Sequence, residues 1–328
     1  ALISDIRTLR HETPVPICTA MHIGSSTSFA GTSEQQGNGG EMKMKSYDGR
    51  EIRRLAVMGG AYGNVPAFTA CLQHARTLDC DGFAFIGDAT GCCGHSDEIV
   101  QLVRDHCPIL VAGNLEQKAV AGSPECGCNY ASAEDEYYGS LAHQYAMKSL
   151  SEENRARRGT WPDLGKLETT AGTILLSHGS PAQTNEFLYE SELDLAQLER
   201  WLDGFEAVGF VCTHSGFPWI RRLSDGRFAV NCGVAGKPDH DHDAAVHYAT
   251  INLHDLQLQI QRVEYDHLAW ADQLDVEGVD DLFTIPIRNG VWTCGILSMP
   301  PAERVLRPHP LGWLDAGGRA STRPEALA

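Results

Sequence analysis

This chain has no apolar run approaching the roughly 18 residues that a membrane-spanning helix requires. Its opening stretch, ALISDIRTLRHE, carries charges where a secretory signal would be apolar. It is also short of positive charge. With 26 Lys and Arg against 43 Asp and Glu, the formal net charge is −17. A surface field of that sign repels a nucleic-acid backbone or an anionic membrane, so a small anion is expected to enter only a locally positive or metal-bearing pocket. No G-x-G-x-x-G spacing joins a strand to a helix; "GNGG" and "GDATG" do not have it, and no P-loop is present. Ser177 and Ser180 lack the strained elbow of a serine hydrolase. No internal repeat is visible. What remains is a 328-residue chain with 42% hydrophobic residues, enough for a sizeable core. Its 11 cysteines are an odd number for a disulfide framework and suit reduced thiols or metal ligands. The expected location is the cytoplasm; the oligomeric state is open.

Residues 24–50 are rich in Gly and Ser and poor in large apolar side chains, so residues 1–52 are read as a weakly structured extension. The compact domain is expected over 53–307, with a loose Pro/Gly-rich tail over 308–328. RRLAVMGG, GFAFIGD and PILVAGN have strand character, and VPAFTACLQHAR and SDEIVQLVRDH between them have helical spacing. That β-α-β-α-β series predicts a largely parallel sheet covered by helices. A polar helical insertion is expected at about 129–158. GTILLSHGS, LDLAQLERWLDGF and VGFVCTHSG then read as strand, helix and strand. RFAVNCGVAG, AVHYATINL and LQLQIQRVEY read as consecutive antiparallel strands.

Several of these strands end in a polar loop bearing a candidate metal ligand: Asp88, Asn114, His178, and Cys212 with His214. In open α/β sheets such groups gather beyond the carboxyl ends of the strands. In the same order, "YGN", "GDATG", "GNLE", "SHGSP", "CTHSG" and "NCGVAGKP" resemble the blocks of the calcineurin-like metallophosphoesterase family. Those blocks usually read D-x-H-G-N, G-D, G-N-H-D/E, H-G and G-H-x-H, followed by N-P-G-S-x-G. The resemblance spans about residues 54–265. It implies a two-sheet β-sandwich flanked by helices, four layers α/β/β/α, with a two-metal phosphoester site at one edge.

Carried over residue by residue, the resemblance makes Asp88 the carboxylate between the metals. Asn114 and His178 match ligands of the second metal, Cys212 stands in place of that metal's other histidine, and His214 matches a ligand of the first. Gly60 and Tyr62 stand where the family has aspartate and histidine, and Leu115 where it has the histidine that protonates the leaving group. Glu116 beside it keeps its acid and, with Asp88, is the candidate catalytic group. Glycine cannot ligate through a side chain and leucine cannot transfer a proton, so the ordinary two-metal hydrolysis is not available in its usual form. The surviving donors are enough for one transition-metal ion (Fe, Zn or Mn), the Cys212 thiolate disfavouring magnesium or calcium. Tyr62, Cys92, Cys93 and His95 are further candidate ligands, and Cys126 and Cys128 form another thiol cluster. Asn64 and Arg221 are candidate substrate contacts. Phe217 and Trp219 either cover a base or pack in the core, and "PDHDHD" reads as a solvated loop.

Three functions stay open at this point. One is a metal-dependent hydrolase of a small phosphorylated molecule, nucleotide-like or a sugar phosphate. Another is an inactive binding or regulatory protein on the same fold. The last is a metal-thiolate chemistry other than phosphoryl transfer in the same pocket.

Overall fold

A computed structural model describes residues 42–306; residues 1–41 and 307–328, with most of the expected extension and tail, lie outside the described residues. The first half runs β1 (Met44–Asp48), β2 (Arg54–Met58), α1 (Val65–Thr77), β3 (Gly82–Ile86), α2 (Ser96–His106), β4 (Ile109–Val111), α3 (Asn114–Ala121), α4 (Ala133–Lys148) and α5 (Glu152–Arg158). The second runs β5 (Leu164–Thr169), β6 (Gly172–Ser177), α6 (Leu195–Gly204), β7 (Ala207–Cys212), β8 (Trp219–Arg222), β9 (Phe228–Asn231), β10 (Val246–Asn252), β11 (Leu258–Val263), α7 (His267–Val276), α8 (Asp281–Asn289) and α9 (Pro301–Leu306).

Local chemistry sets the helix starts. Asn64 caps α1 by accepting from the Ala67 N–H, and a proline occupies its first turn. Ser132 and Ser151 cap α4 and α5 through the N–H groups of Asp135 and Asn154. The strands are set by period-two alternation. In β2, Leu55 and Val57 point one way into a core shared with Ile86, Ile174, Val211 and Val230, between the two sheets. Ala56 and Met58 point the other way, onto Phe68 and Leu72 of α1 and Ile99 and Val103 of α2. On the far side, Phe210 and Ala229 pack against Leu198 and Leu202 of α6. Each fully buried Val, Leu, Ile, Phe or Met among them contributes about 1.5–3 kcal/mol. The result is the expected four-layer α/β/β/α sandwich.

The sheets are ordered β11-β10-β2-β3-β4 and β1-β5-β6-β7-β9-β8. β2, β3 and β4 are parallel, as the βαβ pattern predicts. The second half departs from expectation. β10 and β11 are antiparallel neighbours, but β9 lies in the other sheet, parallel to β7 and antiparallel to β8. The chain thus crosses between sheets after β9, which strand patterning cannot reveal. The domain also begins before Arg53: β1 pairs in parallel with β5, from Met44 beside Leu164 to Asp48 beside Glu168. It escapes sequence reading because β1 is an edge strand whose residues are mostly exposed, so it shows no alternation of apolar and polar. Among the described residues no helix is long and apolar enough to cross a membrane.

Candidate metal centre

Beyond Ile86, at the end of β3, the chain turns through Gly87 (φ +100°), where a Cβ would lie 2.5 Å from the Gly113 nitrogen and 2.6 Å from His178 Nδ1. Only glycine permits three strand ends to approach this closely. Asp88 follows at φ +61°, a conformation uncommon outside glycine. Glu116 holds that turn: its Oε2 accepts from the N–H groups of Asp88 (2.7 Å) and Gly113 (2.8 Å), and its Oε1 from that of Ala89 (3.1 Å). The Leu115 N–H donates to Asp88 Oδ1 (3.2 Å), leaving Oδ2 3.2 Å from His178 Nε2.

His178 follows β6 and His214 follows β7, parallel neighbours whose ends lie side by side. Each ring spends its outer nitrogen on a backbone carbonyl, His178 Nδ1 on Ile86 (2.9 Å) and His214 Nε2 on Cys128 (3.1 Å). A carbonyl only accepts, so those nitrogens carry the ring protons. The inner nitrogens then face one another at 3.0 Å, beside the Asp88 carboxylate. The three ligating atoms of Asp88, His178 and His214 lie within 4.8 Å of one another, and all three side chains are buried. Two lone pairs and an anion converging in the interior require a cation between them, either a proton or a metal ion. Metal-binding histidines commonly donate their other N–H to a carbonyl in this way. The ionisation pattern agrees. Burial pushes the Asp88 pKa up, but His178 outweighs it and holds the carboxyl below its ordinary value. Burial pulls His178 down, yet Asp88 raises it overall. Burial first, then His178, pushes His214 down to about 3, so that ring stays neutral.

Asn114 supplies an independent test of fit. Its Nδ2 donates to the Cys126 carbonyl (3.0 Å) and Cys128 Sγ (3.3 Å), while its Oδ1 is buried with no hydrogen-bond partner. An orphaned buried carbonyl oxygen costs about 1–3 kcal/mol unless something else engages it. A metal ion held with Asp88, His178 and His214 would do so.

Other expected site residues lie elsewhere. Cys212 is a correction: it points with Phe210 and Ala229 into the packing against α6, on the face opposite Val211, and burial pushes its thiol well above the ordinary range. Its removal leaves nitrogen and oxygen donors and ends the case against oxygen-seeking cations. Glu116 is a second correction. Both its oxygens are committed to backbone N–H groups, and the buried Arg158 guanidinium lies 3.7 Å away, so it positions Asp88 rather than exchanging protons with substrate. Asn64 caps α1 and donates to the Gly236 carbonyl and Tyr265 Oη, both at 2.9 Å, instead of touching substrate. Arg221 lies on edge strand β8, paired with Glu190 at 2.9 Å. His95 is drawn to the surface between Glu98 and Glu277, and Cys93 packs beside Trp270. Phe217 and Trp219 are core residues. In "PDHDHD", Asp239 and His240 are buried rather than solvated.

A cavity of about 80 Å³ opens on Asp88 and His214 and reaches Tyr62, Cys92 and Cys128. Burial, and then Asp88, push Tyr62 well above the ordinary phenol range, so it stands there as a neutral phenol. Three further wall residues were not among the candidates read from the sequence. His143, from α4 in the insertion, spends Nε2 on the Ser123 carbonyl (3.1 Å) while its Nδ1 is buried without a partner. Lys237 and Trp292 complete the wall, the ammonium 4.0 Å above the indole ring. His143 and Trp292 are isolated residues with no motif spacing around them, and Lys237 lies in the "NCGVAGKP" block without being singled out by it.

No protein-family model matches the chain. In sequence it is 23% identical over 223 residues to an uncharacterized protein of Methanocaldococcus jannaschii, covering 65% of this chain and 88% of that protein. Among solved structures it is similar to a metallophosphoesterase from Sphaerobacter thermophilus, with a TM-score of 0.58 and 21% identity over 74% of this chain and 100% of that one. It is also similar to a hypothetical protein from Pyrococcus horikoshii, with a TM-score of 0.61 and 17% identity over 73% of this chain and 99% of that one. The two-sheet sandwich, the strand-end triad and these likenesses together give the chain the calcineurin-like metallophosphoesterase fold.

Proposed function

We propose that the protein is a metal-dependent hydrolase of a small phosphorylated molecule, with one metal ion held by Asp88, His178, His214 and the Asn114 carbonyl oxygen. The observation that carries this is the convergence of two imidazole lone pairs on a buried carboxylate, with both outer ring N–H groups pinned to carbonyls. The fold shared with a protein named a metallophosphoesterase points the same way. The donor set of two nitrogens and two oxygens suits iron, zinc or manganese. When bound, the cation supplies Lewis acidity at a phosphoryl oxygen. A Cβ on Gly60 would lie 2.4 Å from Val234 Cγ1 and 3.0 Å from Tyr62 Cε2, so there is no room for the aspartate that would complete a second site.

The chain's own residues supply the rest. Glu116 keeps Asp88 in its strained turn, the Leu115 N–H orients one carboxylate oxygen, and the two carbonyls fix the imidazole tautomers. With Glu116 committed and Leu115 apolar, His143 is the imidazole left to handle a proton in the cavity. Burial lowers its pKa, so the ring is neutral and offers Nδ1 as an acceptor.

Bound metal in the purified protein, with turnover of p-nitrophenyl phosphate or bis-p-nitrophenyl phosphate under Mn, Fe, Zn or Ni, is the expected result. Asp88→Ala and His178→Ala should each strip most of the metal, whereas Tyr62→Phe should retain it. Equal metal content in the wild type and Asp88→Ala overturns the assignment. Metal without turnover favours the binding-protein reading, to which the closed Gly60 position already lends weight.

A further inference from the structure

Cys92 and Cys93 fall outside the cluster of Asp88, His178 and His214, yet the first of them stands at the same cavity. Successive side chains of an extended chain point to opposite sides. The turn after Asp88 instead brings this adjacent pair together, with the two sulfurs 3.7 Å apart. The loop is pinned around them: the Cys93 N–H donates to the Tyr62 carbonyl, the His95 N–H to the Gly63 carbonyl and the Trp270 indole N–H to the Cys93 carbonyl, each at 2.9 Å. A Cβ on Gly94 would lie 2.4 Å from Trp270 Cζ2, so only glycine lets that ring close over the turn. The two sulfurs differ in access. Cys92 is half-buried and lines the cavity, whereas Cys93 is buried in the cluster around Trp270.

That asymmetry sorts their roles. A cysteine attacks as its thiolate, and reactive cysteines stand in partly exposed, electropositive surroundings. The Cys93 S–H donating to Cys92 outweighs burial, and the Lys237 ammonium in the same wall adds to it, so the Cys92 thiol lies below its ordinary value. The same hydrogen bond, and then burial, push Cys93 well above it. Cys128 and Cys294 also line the cavity, but a hydrogen bond with Cys126 and then burial push Cys128 well above the ordinary range, and burial pushes Cys294 up to about 11. Cys71, Cys107 and Cys212 are sealed in the cores, where burial raises each thiol. The cavity's volume of about 80 Å³ has room for several water-sized molecules, each needing about 10–15 Å³. A small peroxide therefore fits beside the Cys92 sulfur.

We propose that Cys92 and Cys93 form a hydroperoxide-reactive dithiol in the cavity wall, Cys92 attacking and Cys93 resolving. The Cys92 sulfur bonds to the near oxygen of the peroxide as the O–O bond breaks, and its proton leaves with the far oxygen as water or alcohol. The Cys93 sulfur then attacks the sulfenic sulfur. The S–O bond breaks, the Cys93 proton leaves with the hydroxyl as water, and an S–S bond remains. Two thiols are oxidised and one peroxide is reduced. Adjacent Cα atoms lie about 3.8 Å apart, short of the usual disulfide span of about 4.4–6.8 Å. Such a bond is strained and readily reduced by an external thiol, which returns the pair to its starting state. No step uses the metal, so the site stands apart from the phosphoesterase reading.

The test is hydrogen peroxide added to the reduced full chain, followed by thiol alkylation and cleavage before aspartates. That cleavage releases residues 88–96 as a peptide holding Cys92 and Cys93 and no other cysteine. The expected product is this peptide unalkylated and lighter by two hydrogens, formed at least about tenfold faster than Cys71, Cys107 or Cys212 is modified. Dithiothreitol should restore both thiols. Cys93→Ser should stop at a Cys92 sulfenic acid, trapped as its dimedone adduct, and Cys92→Ser should leave Cys93 unmodified. Should Cys93→Ser fail to give a cooperative melt, Cys93→Ala takes its place. Oxidation of Cys92 no faster than that of the core thiols overturns the proposal. So does a wild-type Cys92 that bridges to Cys128 or Cys294 instead, or that stays a sulfenic acid with Cys93 free. These readouts need neither bound metal nor turnover, so their failure leaves the hydrolase reading untouched.

Discussion

Asp88 is held in a left-handed turn that few side chains tolerate, and the cost is met by Glu116 accepting its N–H together with those of Ala89 and Gly113. Glu116→Ala should therefore orphan three buried donors and leave Arg158 with an uncompensated buried charge. A loss of about 3–5 kcal/mol in urea unfolding is expected, with a smaller loss for Glu116→Gln. Asn114→Leu removes the orphaned oxygen and should weaken metal binding about 10–100-fold in a chain that still melts cooperatively. His143→Ala should lower kcat by about 100-fold or more with metal content unchanged, because His143 lines the cavity outside the triad and is the imidazole proposed to handle a proton there. Unchanged kcat in that variant would remove His143 from the chemistry.

The decisive facts at the scale of elements are directions. β7 alternates Val211 inward and Cys212 outward, so the chain must run two residues further before His214 can turn toward His178. Cys212→Ala should keep wild-type metal content and cost about 1 kcal/mol of packing. Helices are also tied to one another by ion pairs at the surface. His95 at the start of α2 bonds Glu277 at the end of α7 (2.9 Å) and Glu98 on its own first turn (3.3 Å). Burial pulls the His95 pKa down, but the two carboxylates outweigh it and raise it overall. A raised folded pKa means that the pair stabilises fully below the ordinary histidine value near 6.5, and that the contribution fades as pH climbs through the folded value. Denaturation of His95→Gln against the wild type should show the larger deficit at about pH 5.5 and nearly none at about pH 9.

Across the whole molecule, two sheets bring loops from distant parts of the chain to one edge, and the insertion helices α4 and α5 close over it, His143 in the cavity wall and Arg158 beneath Glu116. The candidate ligands Asp88, Asn114, His178 and His214 were legible because each follows a patterned strand in "GDATG", "GNLE", "SHGSP" and "CTHSG". His143 and Trp292 were not, since nothing in their neighbours' spacing tells that those segments fold back on the same edge, while Cys128 stood out only in a thiol cluster and Lys237 only as part of the "NCGVAGKP" block. Glu116 was visible as an acid in the right place, but its commitment to the backbone was not.

The sequence by itself determined the parallel βαβ half, the two-sheet class and the strand ends at which candidate metal donors stand, because hydrophobic period and strand-end chemistry are properties of a few adjacent residues. Tertiary structure alone decided that Cys212 faces the core, that β9 and β10 part into different sheets, and that rings and a lysine wall the cavity. Those outcomes depend on which way each side chain leaves its pleat or turn and on which distant loop arrives to meet it, and both are settled only when the layers pack.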